Sequence, residues 1–551
     1  IPGTATVAAA DGQVVSGNAS IVQIGNVTTI TQTTDKLVLN FDNFDIGANE
    51  TVRFVQPSSS AIALNRITGG QTSIFGNLFA NGRIILVNNS GIFVANTANI
   101  DVSGIIATTL NITNQDFLNS NLQFTKVEGF DAAKIINEGL ITAEENGFVV
   151  LAGDYVENKG IINARLGDVV LASTKRIALD LQGDGLINFA VDTTAIDSLA
   201  GVRNTGSITA DGGKVIMTAA VASDLIATAV RNDGLIQAQS IIEENGEIIL
   251  SATTGDVINT GNLIATGDES VDGGTVKVLG DRVALLGDTT IDVTGKNGGT
   301  ILVGGDLQGK GDTQTAEVTR VDSNVKLVAD ALTNGDGGKV IVWADGITAF
   351  AGDISAKGGT ESGNGGFSEV SGKQTLIFQG DAVLSADNGE NGTLLLDPDN
   401  IGISSANLPF DETFAQFIPQ DASFPTPDEL AAFETNIVPG DNVFAFGFLA
   451  GQNILIEAAD IERLLDNQTN IILQAEQNIA INVGSPILNT DGGNLTLEAR
   501  GNIAILDDVT LFGGTFTADA GGFIVTDTVG IFADNGVTLT ATDIQFGQGN
   551  F

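Results

Sequence analysis

Apolar residues recur along this chain in short alternating runs, separated by glycine and asparagine. One repeat carries the pattern: Asn-x-Gly-x-Ile/Leu-x-Ala. It reads Asn137-Glu-Gly139-Leu-Ile141-Thr-Ala143 and Asn158-Lys-Gly160-Ile-Ile162-Asn-Ala164, and begins again at Asn204, Asn232 and Asn259. A two-residue alternation buries one face of a strand, and Asn-x-Gly supplies residues that tolerate positive φ at a corner. The start-to-start spacings are 21, 46, 28 and 27 residues, and the 46 leaves room for one degenerate copy. A second element, Gly-Gly-x-Val-x-Val or a close variant, begins at Gly212, Gly273, Gly298, Gly337, Gly365 and Gly492. Each copy predicts a short strand after a turn.

A unit of this length cannot bury its own apolar face, but stacked units bury a continuous core. The pattern therefore predicts an all-β fold, a right-handed parallel β-helix forming an elongated rod. Ile141, Ile162, Ile208 and Ile236 should point inward. The asparagines 137, 158, 204, 232 and 259 should hydrogen-bond from coil to coil. Residues 1–125 lack the clean repeat and predict a capping domain, with strands within 21–30 and 36–41 covering one end. Residues 126–402 form the regular array. Residues 403–450 hold five of the nine prolines and interrupt it as an insertion or junction, with a short helix N-capped by Asp428. Strands resume over 451–551, where 461–466 reads as a helical turn.

Composition narrows the chemistry. Among 551 residues there is no Cys and no His, which removes disulfides, thiolate nucleophiles, histidine bases and the usual zinc ligands. Gly counts 69 and hydrophobic residues reach 42%, so neither disorder nor collagen describes the chain. The net charge of −43 argues against nucleic acid or an anionic membrane as partner. It also predicts diffuse, weak Ca²⁺ binding, and self-association promoted by salt. No stretch approaches the ~20 apolar residues of a membrane helix. The opening Ile1-Pro2-Gly3 reads as the processed start of a longer polypeptide.

The N-terminal third resembles the secretion domain of two-partner secretion exoproteins of the filamentous-haemagglutinin type. The carrying residues are 37–47, ending Phe44-Asp-Ile-Gly47; Val52-Arg-Phe-Val-Gln-Pro57; Ala63-Leu-Asn65-Arg66-Ile-Thr-Gly69; and 74–92, ending Asn88-Asn89-Ser90-Gly91-Ile92. That last turn matches the family's Asn-Pro-Asn-Gly-Ile, with Asn89 in place of Pro and Ser90 in place of Asn. Further likeness runs through 147–152, 163–172, 371–376 and 392–401. The resemblance implies export by a partner outer-membrane β-barrel transporter. It also implies a secreted adhesin at the bacterial surface or in a biofilm matrix, binding extracellular polysaccharide or a cell-surface receptor. It links Asn65, Arg66, Asn88, Asn89, Ser90 and Gly91 to secretion, although each is equally a β-turn residue closing a coil.

Catalysis has only carboxylates left to use. Arg176, Asp180 and Asp184, or Asp397 and Asp399, are candidates for a lateral groove of the kind polysaccharide-active β-helices carry. With 67 acidic residues such clusters also arise as plain solvated surface. The expectation is no enzyme, no cofactor and no specific metal site. The alternatives are a polysaccharide-active enzyme, or the stalk of a contact-dependent toxin. Asn-x-Ser/Thr triplets begin at Asn18, Asn26, Asn49, Asn88, Asn111, Asn391, Asn467 and Asn494, a number that this composition produces by chance.

Overall fold

The structure, a computed structural model, describes residues 9–180, 188–191, 201–220, 228–241, 245–398, 401–404, 454–481, 486–490, 492–526 and 529–546. The chain divides into two compact units, Ile1–Ala265 and Thr266–Phe551. Each is built from coils of a right-handed parallel β-helix.

In the first unit a regular coil contributes three strands. One column stacks Leu140–Ala143, Ile161–Ala164, Ser207–Thr209, Leu235–Gln237 and Asn262–Ile264, all parallel. In it Ile141, Ile162, Ile208 and Ile236 are in register, and all are buried as the alternation requires. A second column stacks Phe148–Gly153, Asp168–Ser173, Lys214–Ala220 and Glu247–Thr254. The third stacks Lys134–Asn137, Tyr155–Asn158, Gly201–Asn204, Thr228–Asn232 and Asp256–Asn259. The ladder asparagines end the strands of this third column, each 0% exposed. Nδ2 of Asn137 donates to Oδ1 of Asn158 at 2.8 Å, and the same bond links 158 to 204, 204 to 232 and 232 to 259.

Two details of the repeat differ from the sequence reading. The repeat glycines do not adopt positive φ. They are required because a Cβ at Gly160, Gly206, Gly234 or Gly261 would run into the carbonyl oxygen of the equivalent glycine one coil below. The 46-residue interval holds no degenerate coil. Tyr155–Asn158 pairs directly with Gly201–Asn204, and the described part of the extra length leaves the helix. Arg176–Asp180 pairs antiparallel with both Leu122–Thr125 and Asn188–Val191, forming a small separate sheet.

That excursion explains why several strands read as continuous apolar runs. Outward residues Ile85, Val87, Val150, Ala152, Val170 and Ala172 join Phe117, Leu122, Phe124, Ile177 and Leu179 in a second core on the outside of the coils. Strands buried on both faces lose their alternation. Each large side chain so covered contributes about 1.5–3 kcal/mol. At the start of the unit Gln13–Ser16 pairs antiparallel with Lys36–Phe41, and Ala19–Ile24 with Val27–Gln32, while Lys36–Phe41 also pairs in parallel with Ile62–Ile67.

The second unit repeats the scheme. Thr275–Leu279, Thr300–Val303, Lys339–Ala344, Phe367–Gly372, Thr393–Leu396 and Asn470–Ala475 stack in parallel. Arg282–Leu285, Val318–Val321, Ile347–Phe350 and Thr375–Phe378 form a second column, in which Phe350 and Phe378 stack at 5.6 Å. Thr393–Leu396 pairs directly with Asn470–Ala475, and between them Ile401–Ser404 pairs in parallel with Ile454–Glu457. Most of 403–450, including Asp428 and its predicted helix, lies outside the described residues. The helical turn predicted at 461–466 is the end of a helix, Ala458–Asp466, with Ile461, Leu464 and Leu465 buried.

Candidate transporter-recognition surface

The residues singled out for export lie on two neighbouring strands. Asn65 and Arg66 belong to Ile62–Ile67, which pairs in parallel with the strand Asn77–Asn88 that delivers the turn 88–91. Asn65 is fully buried. Its amide donates to the carbonyls of Ala63 at 3.1 Å and Ile85 at 3.2 Å, while Oδ1 has no partner. Arg66 points the other way, half-buried beneath the outer core. Its Nε donates to Oδ1 of Asn111 at 3.2 Å, one terminal nitrogen to Oδ1 of Asn114 at 2.8 Å and the other to the Ile112 carbonyl at 2.7 Å. Burial holds the guanidinium pKa below its usual value.

Arg66 thereby anchors the start of the short helix Asn114–Leu118, which Thr113 N-caps. Lys36 anchors its end. The ammonium donates to the carbonyls of Phe117 at 3.2 Å and Leu118 at 2.6 Å, as a cation at a helix C-terminus should. These two cations were not legible as a pair, because 30 residues separate them and only strand pairing brings both beneath one helix.

The turn 88–91 is equally tied down. Asn88 is buried, and its amide donates to Gly70 O and Thr72 Oγ1 at 2.8 and 2.9 Å. Its Oδ1 accepts from the Ser90 N–H. Asn89 donates to the Thr109 carbonyl at 2.6 Å, and exposed Ser90 to that of Gly69 at 3.2 Å. Gly91 supplies φ of 108°, which closes the turn at little steric cost. The six residues therefore lie in two adjoining places on paired strands, the segment 65–66 and the turn 88–91. Among them, Ser90 is the one exposed to solvent.

The carboxylate candidates do not converge. Arg176 and Asp180 sit at opposite ends of one strand of the small antiparallel sheet, both exposed. Asp184 and Asp399 lie outside the described residues. Asp397 is half-buried, its N–H donating to Ser371 Oγ. Among the described residues no three acidic side chains come together as a cation site. Residue types that ligate transition metals are equally scarce. Met217 is fully buried. Tyr155 is half-buried with the Lys134 ammonium 5.5 Å from its ring, and burial together with Glu157 pushes its phenol up to about 12.

This arrangement of antiparallel cap, parallel coils and outer helix can be set beside known proteins. The family model of the TPS secretion domain matches residues 5–265. The crystal structure of the HMW1 secretion domain from Haemophilus influenzae superposes with a TM-score of 0.60 at 30% identity, covering 99% of that domain and 70% of this chain. The chain belongs to the two-partner secretion exoproteins. Members of this family are secreted, and their partner in export is an outer-membrane transporter. The exoprotein is also similar to two heme/hemopexin-binding proteins of Haemophilus influenzae. One is 32% identical over 331 residues, covering 57% of this chain and 35% of the relative; the other is 30% identical over 259 residues, covering 43% and 27%. The chain thus spans about a third of these relatives' length. In this exoprotein the family match covers the antiparallel start, the outer core and all four hydrogen bonds of the asparagine ladder.

Proposed function

We propose that this two-partner secretion exoprotein is a non-enzymatic adhesin. Once exported, its coils present repeated shallow faces to a cell surface or to extracellular polysaccharide, and many weak contacts replace one tight site. The observation that carries this reading is the periodic outer surface. Thr300, Lys339, Phe367 and Thr393 follow one another in register on successive coils. Beside them runs an open trench of about 600 Å³ lined by Gly298, Gly337, Asn364 and Asn391. The trench repeats glycine and asparagine from coil to coil, which suits a repetitive ligand. In this reading Arg176, Asp180 and Asp397 are solvated surface and structural groups.

A second reading takes its support from the heme/hemopexin-binding relatives. Haem iron needs an axial ligand, and this chain has no His or Cys. Met217 is buried, and Tyr155 holds its proton well above neutral pH. These residues do not fit haem ligation. Capture of a haem-carrying protein across a coil face is the version that the side chains support.

Biolayer measurements at several surface densities separate the two. The adhesin reading expects weak binding of the chain to bacterial cells or purified surface polysaccharide, tightening steeply with density. Saturable binding of hemopexin at one-to-one stoichiometry, independent of density, would replace it with the second reading. A haem titration should leave the Soret band as it is in buffer.

A further inference from the structure

In the second unit, residues 304–316 leave the coil and return to it. The Ala316 N–H donates to the Gly304 carbonyl at 2.7 Å, so the ends of this excursion are tied together. Its body lies across the outside of the coils. Beneath it, the outward side chains Leu302, Ile341 and Trp343 form a small apolar cluster, each less than 5% exposed. Gly305 and Gly309 lie flat on the indole, where a Cβ at either would stand 2.7 Å from its ring atoms. Gly304, Gln308, Gly309 and Gly311 all have positive φ.

One strand along from Ile341 in the same outward row is Glu369. A carboxylate here would ordinarily be in water, but the excursion covers it completely. One oxygen accepts the Gln308 N–H at 2.9 Å; Oε1 receives no hydrogen bond of good geometry. The Gln308 side chain reaches on to Oε1 of Gln474 at 3.1 Å. The charged groups around the carboxylate are Asp306 and Lys310 on the excursion, Lys339 on the strand below, Asp397 beyond the strand above, and Glu498 behind Gln474. Lys339 pairs with Asp306 at 3.2 Å, and Lys310 donates to the Gln308 side chain. Neither cation bonds Glu369.

We propose that residues 304–316 are a strap that opens and closes over the cluster of Leu302, Ile341 and Trp343, with the buried Glu369 carboxyl as its catch and the protonation of that carboxyl as its control. When the strap is closed, the carboxyl is desolvated and has acidic Asp397 and Asp306 for neighbours. These raise its pKa from 4.5 to about 7, against the lowering effect of the Gln308 N–H and Ser371. When the strap is open, the carboxyl meets water and its ordinary pKa returns. Closing therefore takes up a proton. The closed form is favoured fully below about pH 4.5, loses ground as pH rises to about 7, and changes little beyond that. Between pH 5 and pH 8 the opening equilibrium should rise on the order of fiftyfold.

Trp343 is the chain's single tryptophan, so its fluorescence reports on the strap without interference. Acrylamide quenching of Trp343 should increase from pH 5 to pH 8 while the far-ultraviolet circular dichroism stays constant. In Glu369→Gln, quenching should be low and flat over the same range. Flat quenching in the unsubstituted protein, or an equal rise in Glu369→Gln, would overturn the strap. Hydrogen–deuterium exchange of 304–316 needs no variant. Corrected for the intrinsic rate, its protection should fall by the same fiftyfold order; constant protection refutes the proposal.

Discussion

Asn204 donates its side-chain amide to Oδ1 of Asn232 at 2.8 Å, although 28 residues separate the two and neither is exposed. The same amide reaches the Gly206 carbonyl in its own turn. Each rung thus closes a corner and joins two coils. Removing Asn204 leaves Asn158 with a buried donor and Asn232 with a buried acceptor unpaired toward it. Asn204→Ala should cost about 2–4 kcal/mol, since each orphaned group costs about 1–3. Asn204→Asp should cost more, because it buries a charge and sets a carboxylate oxygen against Oδ1 of Asn232. Urea unfolding midpoints of the two variants check both the size and the order.

Ile161 and Ile162 are adjacent in one strand, 48% and 0% exposed. Ile162→Asp buries an unpaired charge and should cost several kcal/mol. Ile161→Asp faces water and should stay within about 0.5 kcal/mol of the parent. Equal losses in thermal unfolding would contradict the inward register.

Such register was open to reading because inward positions repeat at a fixed phase after Asn-x-Gly. The asparagine ladder was open for the same reason: a buried polar residue recurring at one corner has only its own copies to pair with. What the sequence concealed depends on contacts between distant segments. The runs 148–152 and 168–172 look like ordinary core strands, yet their outward halves are covered by residues 117–124 and 177–179. No local pattern announces that Arg176–Asp180 pairs antiparallel with Leu122–Thr125. The glycine-rich stretch 304–316 reads as a plain loop, because its purpose lies in Trp343 and Glu369. At the export residues, family resemblance found the positions, but burial of Asn65 and the anchoring role of Arg66 needed the folded chain.

Arg66→Lys keeps the charge but cannot reach Asn111, Asn114 and the Ile112 carbonyl together. It should loosen the segment 111–118, raise protease sensitivity there and lower the exported fraction severalfold. Ser90→Ala removes one exposed hydrogen bond and should leave both unchanged. Quantitative blots of secreted and retained protein, with limited proteolysis of the purified chain, check this. Lost export with an unaltered cleavage pattern would instead assign Arg66 to contact with the transporter.

Tyr155 is the chain's single tyrosine, so the absorbance of its phenolate can be followed alone. Burial, then Glu157, raises the folded pKa above the ordinary 10.0 to about 12. The stability this contributes is complete below pH 10 and is lost as pH climbs from about 10 to about 12. Absorbance of the folded protein should show a midpoint near 12, and the urea-unfolded chain one near 10. A midpoint near 10 in the folded protein would place the ring in water.

The glycine column at the Asn-x-Gly corner behaves like a row in a crystal lattice. A methyl group placed at Gly206 has nowhere to go, since the Gly160 carbonyl occupies its position and Gly234 repeats the constraint one coil above. Local relaxation cannot absorb the misfit, so it spreads as a dislocation through the neighbouring coils. Excursions such as 304–316 leave the stack and return to it, so a misfit inside one is not passed from coil to coil. Across a population of variants, substitutions should be nearly forbidden at these corners and better accepted in the excursions, at positions other than those packed on the coils such as Gly305 and Gly309. Diversity on the surface of this exoprotein can therefore accumulate without renegotiating the spacing of its coils.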